Sequence, residues 1–543
     1  MRYRLLEDDP DLANRMTDSG RVESNSPAAK SSLGGEQLAR SHRSGRYLHD
    51  LAFGGDESPN RERCYTSRMY PSQPVMGGPS PLSIVSLLRS QEVRLVSDRG
   101  FRNDVPRRSH AVWSPVEGRP SPVDVITSQN VDRLGWLVPI RHWRMAQSPF
   151  TFYRGAAKLM ALDLASSPST GIQAQICGDA HLSNFGFYGS PDRALVFDLN
   201  DFDETLPGPW EWDVKRLAAS FAIASRNNEF EETDAYELAV STTSAYRKNM
   251  RQLAGMGYLD VWYSRIDDND ILEAFEDDLT KKGRKASEKA LRKVRRRDSR
   301  HALGKLAEQT EDGYRIISQP PLIIPLRDLR QVAGLQTLES ALTAAVADYL
   351  ESVPDHLGVL LNRFRFVDFA VKVVGVGSVG TRSFIALFVG RDSDDPLFLQ
   401  IKQATRSVLE DHLPESQYSN SGRRVVEGQR LMQAASDSFL GWIEHQSSGH
   451  HYYARQFKDM KGSAEVEDMN VDQLSRYARL CGWTLARAHA RSANVRQIAD
   501  YLGKSDKFEQ AIGDFAVHYA DQNQADYQEF KSAIDNNEIP AHP

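Results

Sequence analysis

A chain of 543 residues has room for one large or two medium domains. Its 67 basic and 73 acidic residues leave a formal charge of −6, which excludes a surface that is basic throughout, so a nucleic-acid partner is not expected. Cys64, Cys177 and Cys481 lie far apart with no CxxC pair, pointing to a reducing cytoplasm; with no apolar leader and no apolar run of membrane-spanning length, neither secretion nor a membrane partner is expected.

Residues 1–102, rich in Ser, Arg, Gly and Pro, read as a disordered extension, and PLSIVSLL near residue 85 offers at most a short helix. This stretch also accounts for an apolar share slightly under that of an average globular chain. Order is expected from about Val105–Pro122. At Ser148-Pro149 a helix N-cap precedes a proline at the first helical position, and Phe152, Ala156, Leu159, Met160 and Leu164 then share one helical face. IQAQICGDAHLSNFGFYG and RALVFDLNDFDE read as two short strands around a polar loop. From Val214 to about Leu306 the pattern is helical, and the basic run 281–301 reads as a solvated helix face. Over about 365–460, FAVKVVGVG, RSFIALFVG, LFLQIK and HYYARQF read as strands. Asn470 then caps a last helical block whose face is Leu474, Tyr477, Ala478, Cys481, Leu485 and Ala488.

The polar loop Gly178-Asp-Ala-His-Leu-Ser-Asn184 and the later Asp201-Phe-Asp-Glu carry the most chemistry. Asp179 can orient or deprotonate a hydroxyl, Asn184 can offer a carbonyl oxygen to magnesium, and Asp201 can supply the anionic ligand; magnesium asks for only one or two carboxylates. Taken alone, such residues equally suit turn capping. The downstream spacing narrows the choice: a strand ends near Asp201, Gly208 comes seven residues on, and Asp213 five further on leads WDVKRLA. This block resembles the catalytic segment of aminoglycoside-phosphotransferase-like kinases. The resemblance implies that Asp179 is the catalytic aspartate, Asn184 and Asp201 the metal ligands, Asp213 an anchor of the loop and His181 a brace. Asp198 is a rival to Asp201, but only Asp201 keeps the spacing to Gly208 and Asp213. Asp203 and Glu204 add charge nearby.

Gly375-Val-Gly377-Ser-Val-Gly380 is a GxGxxG, a weak signal alone. No helix comes after it, which removes the dinucleotide reading; RSFIALFVG, a turn and FLQIK make it a strand–glycine loop–strand unit ending on Lys402. That is the order of a kinase nucleotide flap, with Lys402 as the phosphate-pairing lysine; the alternative is an ordinary hairpin with a surface lysine. A kinase lysine needs an acidic partner, and Glu427 in RRVVEGQRLMQ is preferred to Glu410. Lys372 is expected to face solvent. Backbone groups near Gln456 to Lys458 fit an adenine hinge.

In ordinary kinases the flap precedes the catalytic loop; here it comes some two hundred residues later, which implies circular permutation. LCGWTLARAHARS resembles the kinase helix that leads into the catalytic loop, and so should lie beside that loop; its His489 reads as a packed histidine. The phrases MAQSPFTFYRGAA, CGDAHLSNFG, VVGVGSVGTR, EGQRLMQ and LARAHARS further resemble the bacterial domain-of-unknown-function family numbered 2252, grouped with kinase-like folds. Family members often have Lys-Glu in the flap strand, where this chain has Lys402-Gln403. The resemblance implies an α+β, two-lobed protein-kinase-like fold in permuted order. A catalytic-loop and helical part (103–364) comes first, then a β-rich flap lobe (365–462) and C-terminal helices (463–543). The implied function is an ATP- and magnesium-dependent phosphotransferase acting on a small-molecule or protein hydroxyl. AMP transfer and non-catalytic nucleotide binding are the alternatives. A metallophosphoesterase would need further His and Asp ligands and a GNH loop, and no GNH occurs.

Overall fold

The computed structural model describes residues 99–274, 281–311, 313–329, 345–373, 375–445, 449–457 and 459–543. Most of the extension expected over 1–102, the short helix near residue 85 and Lys458 of the expected hinge lie outside the described residues. Across the described residues the fold is mixed α+β, 52% helix and 17% strand, with several sheets.

Helices α1 (Val138–Met145), α2 (Pro149–Gly155) and α3 (Ala157–Ala165) come first. Ser148 and Thr151 exchange the two hydrogen bonds of a capping box, so α2 starts where the Ser-Pro pair predicts. The spacing of the apolar residues predicts one continuous helix; the chain breaks instead at Ala156 (φ −108°, ψ 31°), beside Gly155, on which Met145 packs. The apolar face survives the break, since Phe152, Ala156, Leu159, Met160 and Leu164 are all buried.

Strand β1 (Gln173–Ile176) pairs with β4 (Leu206–Pro209), and β2 (Phe185–Gly189) with β3 (Leu195–Leu199), in the register Phe185↔Leu199. The two pairs bracket the acidic loop. Helix α4 (Trp210–Asn227) starts before the expected Val214, which puts Asp213 inside its first turn, and α5 (Glu232–Leu253) comes next. The basic run forms a helix over Lys281–Arg295. After Leu306 the chain turns to strand, with a hairpin of Ala307–Thr310 and Gly313–Ile316 and then β5 (Ile323–Pro325), none of which the sequence pattern announces.

Strands β6 (Arg365–Lys372), β7 (Ser383–Val389) and β8 (Pro396–Ala404), helix α6 (Ser421–Met432), and strands β9 (Gly441–His445) and β10 (His450–Gln456) come next. They build an antiparallel six-stranded sheet with β5, in the order β9-β10-β8-β7-β6-β5. Within β8, Phe398 packs with Ile385 and Leu387, while Leu397 and Leu399 pack with Tyr349, Val353 and Ile443. This two-residue alternation covers both sheet faces and makes β8 a central strand. Lys402 lies on it, opposite Ser383 on β7 and Tyr453 on β10.

Helices α7 (Val471–Ala490) and α8 (Lys507–Asp535) close the described chain. Asn470 opens α7 through a capping box with Gln473. Leu474, Ala478, Cys481 and Leu485 of α7 join α4, α5 and α6 in the largest core cluster. The Tyr477 hydroxyl donates to Leu182 O (2.8 Å) and Phe185 O (3.2 Å), which seats α7 against the acidic loop. Residues 99–543 fall within one compact unit, Val96–Pro543. Among the described residues no helix is long and apolar enough to cross a membrane.

Candidate active site

Gly178 has φ +78°, and a Cβ there would lie 2.7 Å from Glu204 O, so glycine is required twice over at the entry to the acidic loop. Asp213 fixes that entry: Oδ2 accepts from Cys177 N (2.8 Å) and Oδ1 from Gly178 N (3.0 Å). Behind it, His489 Nε2 lies 3.2 Å from Asp213 Oδ2, and its Nδ1 meets Tyr246 OH at 2.9 Å. His489 is therefore a packed histidine that supports the anchor.

Asp179 Oδ1 accepts from Arg216 Nε (2.8 Å) and Nη2 (2.7 Å), while Arg216 rests on the Tyr153 ring, 3.9 Å from its centroid. Burial pushes the Asp179 carboxyl up, against the pull of Arg216. Its Oδ2 stands 3.8 Å from His181 Nε2, outside hydrogen-bond range. His181 is held well below the ordinary histidine value by burial and by Arg154 and Arg216, so it packs as a neutral ring. Asn184 Nδ2 donates to Asp179 O (2.7 Å), and its Oδ1 receives no hydrogen bond from the described residues.

Asn200 N donates to Asn184 O (2.8 Å), so Asn184 and Asp201 leave the open end of the β2–β3 hairpin side by side. Asp201 Oδ1 accepts from Asp203 N (3.2 Å), and its Oδ2 lies 3.7 Å from Lys402 Nζ. Lys402 donates to Asp203 Oδ2 (2.6 Å), and Tyr453 OH donates to Asp203 Oδ1 (2.7 Å). Burial alone would lower the Lys402 ammonium, but Asp201 and Asp203 hold it above its ordinary value. Burial would likewise raise Asp203, yet Lys402 brings it below the usual carboxylate range. Asp198, the rival to Asp201, is sealed in the core, where it pairs with Arg487 and accepts from Leu199 N (2.9 Å) and Ala434 N (3.1 Å). Asn184 Oδ1 and the Asp201 carboxylate would be the oxygens offered to a magnesium ion, which asks for only one or two carboxylates, since Lys402 and Tyr453 already hold both Asp203 oxygens.

Neither glutamate expected to hold Lys402 does so. Glu427 meets Arg430 (3.4 Å), and Glu410 accepts from Ser407 N (3.0 Å) and approaches Arg406 (3.7 Å). On α6 the inward position belongs to Arg424, one turn before Glu427, which is buried and donates to Thr205 O (2.6 Å), Asp203 O (2.7 Å) and Thr405 O (3.0 Å). The helix thus gives a cation to the acidic turn, and the turn gives the carboxylate to the lysine. Glu204 sits in the same turn and accepts from Val408 N (2.7 Å); burial, partly offset by Arg424, pushes its carboxyl up to about 7.

The glycine loop does not stand free. Gly375 O accepts from Arg144 Nη1 (2.6 Å), a Cβ at Gly377 would lie 3.1 Å from Arg154 O, and Gly380 O accepts from Leu134 N (2.8 Å). Gly375 and Gly380 have φ of +67° and +93°. Sequence reasoning missed Arg133, Arg144, Arg154 and Arg216, since scattered arginines carry no spacing signal. Lys372, expected at the surface, lies over the Phe457 ring, 5.9 Å from its centroid. At the expected adenine hinge, Gln456 N donates to Asp437 Oδ2 (2.5 Å) and Phe457 N to Phe398 O (2.9 Å), so neither amide is available to a base.

No curated protein and no solved structure matches the chain. A family profile matches residues 133–533, a span that takes in the acidic loop, the glycine hairpin, Lys402 and α7. The chain belongs to that family, described as an uncharacterized protein conserved in bacteria (DUF2252).

Proposed function

We propose that this chain is an ATP- and magnesium-dependent phosphotransferase of the small-molecule-kinase type, built as a two-lobed, circularly permuted kinase-like fold. The observation that carries the reading is the meeting of Lys402 with Asp201 and Asp203, at 3.7 and 2.6 Å, although the catalytic segment precedes the lysine by 199 residues. A permuted order requires that meeting; an ordinary surface hairpin does not. The seating of Tyr477 on Leu182 and Phe185 supports it, because α7 then lies beside the loop that the corresponding helix precedes in ordinary kinases.

In this reading Asn184 and Asp201 would hold magnesium, which neutralises phosphate charge when bound. Lys402 turns from Asp203 toward the phosphates and adds a second positive charge. Asp179 Oδ2, the oxygen that Arg216 leaves free, takes the proton of the acceptor hydroxyl as its oxygen bonds to phosphorus and the bond to the ADP oxygen breaks. General-base help of this kind contributes roughly 10²–10⁴ in rate. Charge neutralisation and positioning contribute more, since phosphoryl transfer leaves the protein little covalent chemistry.

Turnover of γ-labelled ATP by the wild-type chain, lost in Asp179→Asn, is the test. Label transferred from the α-phosphate instead would make the chain an AMP transferase. ATP binding with no transfer of either label would make it a nucleotide-binding regulator.

A further inference from the structure

Arg133, Arg141 and Arg154, on the segment before the acidic loop, have no carboxylate partner among the described residues; Arg141 is sealed among neutral oxygens of Ile126, Gln129 and Asn130, whereas Arg133 and Arg154 are only half-buried. Arg133 donates to Gln129 O (3.1 Å) and to Val379 O in the glycine loop. Arg154 ends α2, and its buried Nε has no hydrogen-bond partner. Among the described residues no carboxylate lies within 4.0 Å of either guanidinium. Arg133 thus meets only neutral carbonyls and Arg154 Nε meets nothing, so an anion arriving there would find two uncommitted charges.

Both arginines lie against the glycine loop. Arg382 donates to Asp132 O (3.0 Å) and to Gln403 Oε1 (3.1 Å), which ties the residue before Arg133 to the residue after Lys402. Gly380 has to be glycine partly because the Arg133 stem lies 3.0 Å from where a Cβ would stand. Arg154 O abuts Gly377, and the neighbouring Tyr153 O accepts from Arg216 Nη2 (2.8 Å), the guanidinium that holds Asp179. One arginine thus flanks the Lys402 side and the other the Asp179 side.

We propose that Arg133 and Arg154 are the polyphosphate ligands of this site, gripping the phosphate chain from the segment that also pins the glycine loop. The proposal rests on the nucleotide reading above for its location but not for its chemistry, which is that of any tri- or diphosphate. Nothing in the kinase resemblance assigns these positions, which precede the catalytic segment in sequence.

The test is calorimetric titration of the full chain with magnesium-ATP, inorganic tripolyphosphate and adenosine. Arg133→Met and Arg154→Met should each weaken ATP and tripolyphosphate roughly 10–100-fold, the worth of one charge-assisted contact, and leave any adenosine binding unchanged. Arg133→Lys should recover part of the loss. Arg144→Met, which releases the loop at Gly375, should weaken both anions less than tenfold. Removing the unpaired Arg154 should not lower the urea midpoint, so that variant carries the test even if Arg133→Met loosens the loop. Anion affinities that match wild type in both methionine variants would overturn the proposal, as would a wild-type chain that binds neither anion. Tripolyphosphate binding that depends on both arginines, with no affinity for ATP or adenosine, would support the proposal and sink the nucleotide reading.

Discussion

Lys402 and Asp203, 199 residues apart in sequence, meet at 2.6 Å, and the Tyr453 hydroxyl holds the other oxygen of the same carboxylate at 2.7 Å. The lysine side chain is 3% exposed and the aspartate 26%. Removing one partner leaves the other charge enclosed and uncompensated, which is the expensive way to break such a pair. Asp203→Asn and Lys402→Met should therefore each cost about 2–4 kcal/mol in urea unfolding, and the double variant should cost clearly less than their sum. Additive costs would mean that the pair contributes nothing as a pair.

Asp213 is the acceptor for two loop amides, the buried Cys177 N and the half-buried Gly178 N. Asp213→Ala strands both, at about 1–3 kcal/mol each. Hydrogen exchange should quicken at those two amides more than elsewhere in the acidic loop; unchanged protection there would contradict the anchoring role.

Glu204 gives stability a pH dependence of definite sign. Its folded value, about 7, lies above the ordinary 4.5, so the folded chain holds this proton more tightly than the unfolded chain. The stabilisation is complete below the ordinary value, declines as pH rises toward about 7, and is lost above it. Arg424 and Arg133 oppose this shift, while Asp203 and Asp179 add to it. Urea midpoints compared between wild type and Glu204→Gln should diverge progressively across this window, with the variant lacking the decline. Parallel curves would place the Glu204 titration elsewhere.

The acidic loop was legible because its chemistry is local: Gly178, Asp179, Asn184 and Asp213 sit at spacings that strand β1, the β2–β3 hairpin and the first turn of α4 enforce. The strand that carries Lys402 was legible for the same reason, through the alternation of β8. The lysine's partner was not, since a glutamate on a helix is one guess and the side chain facing inward is decided by packing: α6 turns Arg424 to the site and Glu427 toward Arg430. Strands β5 and β9 were missed because they are short and lie at the two edges of the sheet, where burial imposes little pattern. Asp198 and Asp201 end the same apolar run, and only the position of Arg487 on α7 tells the buried ion pair from the more exposed Asp201.

One measurement bears most directly on the proposal that Asp201 and Lys402 belong to a single nucleotide site. ATP affinity is measured by calorimetry with and without magnesium for wild type, Asp201→Asn and Lys402→Met. The account predicts binding that magnesium strengthens in wild type, loss of the magnesium effect in Asp201→Asn, and at least tenfold weaker binding in Lys402→Met, the cost of one charge-assisted phosphate contact. Binding that ignores both substitutions, or no ATP binding at all, would contradict it.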